Sequence, residues 1–158
     1  MMVRCLDGLA EIALAAGDTR RCRAYGDELL AVAEPNGLRE LEAGARRWRG
    51  EAMLAERDYA KAQAELSCAA ALAENIGRVR LQMDTQAALA RLFSAQGQHD
   101  AAKRHGTTAR AIAEAIEKSL ESSGLKATMT VACGSVHDTE YPEKSGGRER
   151  ESNPPGSD

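Results

Sequence analysis

Three short segments, AVAEPNG (31–37), ALAENIG (71–77) and AIAEAIE (111–117), are variants of one phrase set 40 residues apart. A fixed period of this length constrains the fold more than composition does. A chain built of such units buries the apolar face of each unit against the next and grows as a solenoid. The same offset superposes Glu11 on Glu51, Leu14 on Leu54, Asp18 on Asp58 and Gly37 on Gly77. It carries on with Leu41 on Leu81 and Ile76 on Ile116. Alanine pairs such as Ala62 with Ala102 follow the register but arise by chance in Ala-rich helices, so the Gly, Asp and Leu pairs carry the argument.

Each unit divides into two helices. In the second unit the 41–56 segment is followed by a short turn and then by 59–77, where Tyr59, Ala62, Leu66, Ala69 and Ala73 recur at three- and four-residue spacing. That spacing draws one apolar stripe along a helix. Asp18 and Asp58 stand where a carboxylate caps the free amides of the following helix. Gly17 and Gly97 stand in the turns, and Gly37 and Gly77 close the second helices. The pattern predicts helices over 3–16, 19–34, 38–56, 58–76, 79–96 and 98–122. The expected fold is an all-α solenoid of about three helical hairpins.

Composition agrees with helices and excludes several classes of function. Aromatic residues make up 3% of the chain while alanine is abundant through its first three quarters. Alanine is the best helix former and lets helix axes approach closely. A net charge of −3 gives no general attraction to nucleic acid or to an anionic membrane. No apolar run reaches the roughly 20 residues of a membrane span, and the nearest, LAEIALAA (9–16), is interrupted by Glu11. The four cysteines, at 5, 22, 68 and 133, form no CxxC pair, which is the pattern of a reduced, cytoplasmic protein.

Candidate chemistry is sparse. Ser123 and Lys126 fit the loose Ser-x-x-Lys pattern of some acyl enzymes, but its companion motifs are missing. Cys133, His137, His99 and His105 are not spaced as metal-ligand pairs, so no metal and no cofactor is expected. There is no Gly-rich phosphate loop, and no convergent nucleophile, base and orienting group can be named, so the small-enzyme reading is disfavoured. Cys22 takes the place of Ala62 and Ala102 and reads as a small buried thiol. The RRWRG segment (46–50) leaves two readings open. One is a solvated helix face with Trp48 packed between helices. The other is an anion- or peptide-binding patch with Arg47 as contact and Trp48 as anchor. Glu40, Glu42 and Glu51, interspersed with those arginines, argue against nucleic acid.

Gly97, Ala102 and Ala109 in the third unit, with Ala62, Ala69 and Gly50 in the second, resemble the small-residue motif of the tetratricopeptide repeats over about residues 3–120. Cys22 and Leu29 replace the small alanines in the first unit. The 40-residue period is similar to the longer repeats in the C-terminal halves of bacterial LuxR-type transcription regulators and related signalling ATPases. The resemblance implies a non-catalytic protein-interaction module whose first helices line a concave groove for a protein or peptide partner. Carried over position by position, it implies groove residues Arg4, Asp7 and Glu11 in the first unit, Arg47 and Glu51 in the second, and Asp84 and Arg91 in the third. Members that clamp a C-terminal carboxylate use basic and Asn residues where Asp7 and Glu11 stand here, so that activity is not expected.

Both ends raise expectations of their own. No capping helix precedes the first unit, which suggests the detached C-terminal piece of a longer ancestral regulator or signalling ATPase as the alternative to a stand-alone adaptor. Leu6, Leu9, Ile12 and Ala13 offer more apolar surface than one neighbouring helix covers, so either self-association through the 3–16 helix or only marginal folding at this end is expected. The repeat domain is assigned to 1–122 and an exit segment to 123–133, where LKATMTVAC (125–133) could lie over the last helix. The Gly-, Pro- and Ser-rich remainder, 134–158, is expected to be a disordered tail whose deletion leaves the melting temperature unchanged.

Overall fold

A computed structural model describes residues 2–122, with side chains described from residue 5 onward. The exit segment and tail expected at 123–133 and 134–158, and with them Ser123, Lys126, Cys133 and His137, lie outside the described residues. The fold is an all-α helical repeat. Its helices are α1 (Met2–Ala15), α2 (Thr19–Ala33), α3 (Arg39–Ala55), α4 (Tyr59–Asn75), α5 (Val79–Ala95) and α6 (His99–Ser122), with no strand among the described residues. Each helix packs on the next in chain order, and the first helices of the hairpins also touch directly, α1 against α3 and α3 against α5.

One turn, repeated, sets this geometry. At every helix–helix junction an amide reaches back five residues to close the preceding helix: Asp18 to Ala13, Leu38 to Ala33, Asp58 to Met53, Arg78 to Ala73 and Gln98 to Phe93. Such a closure needs a residue in the left-handed region just before it. Gly17 (φ 77°) and Gly97 (φ 73°) supply it in the first and third hairpins, but Arg57 (φ 64°) stands in their place in the second. A side chain in that conformation costs about 1–2 kcal/mol, part of which glycine returns through its more flexible unfolded chain. Arg57→Gly is therefore expected to stabilise the protein by about 1 kcal/mol and raise Tm by about 4 °C. A thermal melt showing no gain would mean that the arginine makes a compensating contact. The carboxylates of Asp18 and Asp58 cap α2 and α4, accepting from the amides of Arg21 (3.0 Å) and Lys61 (3.4 Å).

Two apolar clusters fill the interior. The first joins Ala10 and Ala13 of α1, Cys22, Leu29 and Leu30 of α2, and Ala45, Trp48 and Ala52 of α3. The second joins Met53 of α3, Ala62 and Leu66 of α4, and Ala88, Leu89 and Leu92 of α5. Close approach is built into their boundary, because a Cβ on Gly50 would sit 2.6 Å from Cγ of the fully buried Leu66. Burial pushes the Cys22 thiol up to about 11, aided by Glu51, and its Sγ lies 3.6 Å from the Trp48 carbonyl. It is a packing group, as its alanine counterparts are. The four apolar residues singled out on α1 divide. Ala13 is buried and Leu6 packs on the first cluster, whereas Leu9 and Ile12 are exposed.

On the last hairpin, His105 stacks on Phe93 with ring centroids 5.1 Å apart, and its Nδ1 lies 2.6 Å from Gln86 Oε1. Burial, and next the charge of Arg104, hold its pKa below the ordinary histidine value. A histidine depressed in this way favours the folded state above its unfolded pKa, and that stability is lost as pH falls through the folded value. Between about pH 7.5 and 5.5, above the usual carboxylate range, the wild type should lose part of its stability. His105→Phe keeps the stacked ring and should flatten that dependence. Parallel slopes for the two proteins in urea titrations would assign the effect elsewhere.

Candidate partner-binding face

The direct contacts of α1, α3 and α5 place their side chains on one shared face. A polar line crosses it. Trp48 Nε1 of α3 donates to Asp7 Oδ1 of α1 at 2.6 Å. The Arg47 guanidinium lies over the Trp48 ring, 3.7 Å from its centroid. Arg47 Nη1 donates to Glu51 Oε1 at 2.8 Å, and the other oxygen of Glu51 accepts from Arg91 Nη2 of α5 at 2.9 Å. Asp7, Arg47, Glu51 and Arg91 are thus brought together in one chain of alternating charge that sums to zero. Glu51 is only 5% exposed and its two oxygens are held by two cations, which is the arrangement a buried carboxylate needs.

The remaining expected groove residues are placed differently. Glu11 is exposed on α1. Asp84 pairs with Arg80 one turn earlier on its own helix (3.5 Å) and does not join the line. Arg4 belongs to α1, but its side chain falls outside the described ones. Trp48, 4% exposed, is the link that sequence reasoning assigned to a different site. The repeat held part of the signal: position 7 corresponds to position 47, which puts both on the same face of successive first helices.

The RRWRG segment is packed rather than solvated. Trp48 is held between helices, and the neighbouring arginines are tied up in ion pairs. Arg46 meets Glu34 at 2.9 Å, Glu42 at 3.1 Å and Glu65 at 3.5 Å. Arg49 meets Asp27 at 3.3 Å and Glu65 at 3.1 Å. These pairs tie α2, α3 and α4 together rather than presenting free positive charge. Among the described residues, no group of three or more His, Cys, Asp and Glu side chains could hold a metal ion. No described helix is long and apolar enough to cross a membrane. The shallow surface lined by Asp100, Lys103, Arg104, Thr107 and Thr108 runs along α6 alone and brings no second element to a ligand.

No family model matches the chain, and neither the curated proteins nor the solved structures include a significant match.

Proposed function

We propose that this chain is a non-catalytic protein-interaction module of the tetratricopeptide kind, which receives a peptide or helix of a partner on the face formed by α1, α3 and α5. The supporting observation is the line Asp7–Trp48–Arg47–Glu51–Arg91, which runs across three helices from successive repeats. Side chains fixed in this way form a rigid floor, and pre-organisation lowers the ordering cost of binding. Arg91, 60% exposed at one end of the line, exposed Asp7 at the other, and exposed Glu11 are charges placed to meet a partner. The 40-residue period favours a place among bacterial signalling or transcription regulators, working in the cytoplasm.

Peptides selected from a random displayed library against the whole chain provide the test. Binding should fall at least about tenfold, the equivalent of losing one charge-assisted contact, in Arg91→Glu. It should be unchanged in Lys61→Glu, a charge reversal at an exposed position of α4. Peptides indifferent to Arg91, or a library that yields no binder, would overturn the reading.

A further inference from the structure

The repeat allows one position to be compared in three environments. Ile12 corresponds to Ala52 and Leu92, both fully buried, yet Ile12 itself is 66% exposed. Leu9 is 40% exposed, whereas its counterpart Leu89 is buried. The burial of those counterparts has a definite source. Ala52 packs in the cluster with α1 and α2, and Leu89 and Leu92 pack with Met53, Ala62 and Leu66 of α3 and α4. In each case the preceding hairpin covers them. Leu9 and Ile12 therefore form the surface that accepts a preceding hairpin, and nothing among the described residues covers it.

The opposite end carries the complementary surface. Ala102 and Ala113 of α6 are only partly buried, although Cys22 and Ala62, and Ala33 and Ala73, are fully buried at the same positions. Arg110 is exposed where Leu30 is buried in the first cluster. The α6 surface is thus small-residued and of mixed charge, with Lys103, Arg110, Glu114 and Glu117 beside it, while the α1 surface is branched and apolar. By repeat position they are the two surfaces that meet where α2 packs on α3 and α4 on α5, one hairpin stacking on the next.

We infer that two copies of this chain associate head to tail, with Leu9 and Ile12 of one copy seated on the Ala102–Ala113 face of α6 in the next, continuing the internal stacking across molecules. Such a contact is heterologous, so it propagates instead of closing as a symmetric dimer.

Light scattering and sedimentation of the full chain test this. The weight-average mass should climb with concentration past about twice the monomer, because each added copy leaves another open end. Ile12→Glu blocks one face and Ala113→Arg the other, and each variant alone should stay monomeric. Mixed together they should form a one-to-one dimer and stop there, since each supplies the face that the other lacks. Leu9→Glu and Ala102→Glu repeat the experiment at second positions, with circular dichroism checking the fold of every variant. A wild type that remains monomeric at high concentration overturns the inference, whether because other residues of the same chain cover α1 or because the face stays bare. So does an Ala113→Arg variant that still self-associates, which would indicate α1 pairing with α1, and so does a mixture of folded variants that fails to dimerise.

Discussion

Trp48→Ala is expected to destabilise the protein by about 4 kcal/mol, in the range for removing a large buried aromatic side chain. The side chain fills the first cluster between α1, α2 and α3, is stacked beneath Arg47, and is the donor that ties α1 to α3 through Asp7. Domains of this size hold about 5–15 kcal/mol in all, so the variant should keep as little as about 1 kcal/mol at the low end of that range. Trp48→Phe keeps most of the apolar area and gives up the bond to Asp7, and should cost about 1–2 kcal/mol. Urea unfolding followed by circular dichroism measures both. Equal losses would mean that the hydrogen bond, rather than the packed ring, carries the contribution of Trp48.

Glu51→Ala is expected to cost about 3 kcal/mol, because removing one member of a buried pair strands the other. Arg47 is left 13% exposed with no carboxylate beside it, over a ring that offers only a face. Arg91→Ala should cost less than about 1 kcal/mol, since that side chain is 60% exposed and solvent takes over much of the interaction. In a double-mutant cycle the coupling of Glu51 to Arg47 should therefore exceed its coupling to Arg91. The reverse order would show that the exposed end of the line is the stronger one. Added salt should weaken the Arg91 coupling and leave that of Arg47 largely intact.

The helices were legible because local and global signals coincide in a repeat. Periodic apolar residues, Asp caps and Gly turns all recur at 40 residues, and the expected boundaries differ from the observed ones by at most one residue. Arg57 was less transparent, since nothing local distinguishes an arginine forced into a left-handed turn until Gly17 and Gly97 are aligned with it. The ion pairs of Arg46 and Arg49 with Glu65 were hidden for a different reason. Whether two charged side chains meet depends on the rotation and spacing of α3 against α4, which the period of the sequence does not specify. Asp7, Arg47, Glu51 and Arg91 were named through the resemblance, but their joining through Trp48 depended on helix orientation. Asp84 shows the limit of that transfer, because a position on the correct helix points along its own helix to Arg80.

The division of the interior into two clusters has a consequence for how the molecule opens. Trp48 and Ala52 belong to the first cluster and Met53 to the second, so α3 is a wall common to both. In an array whose units touch only their neighbours, opening proceeds from the periphery, one hairpin at a time. Ala109 is the single buried residue of α6, so that helix can detach while the centre stays closed. Amide protons should accordingly exchange in a graded order, soonest in the terminal helices α1 and α6 and last in α3, which opens only when both flanking hairpins have let go.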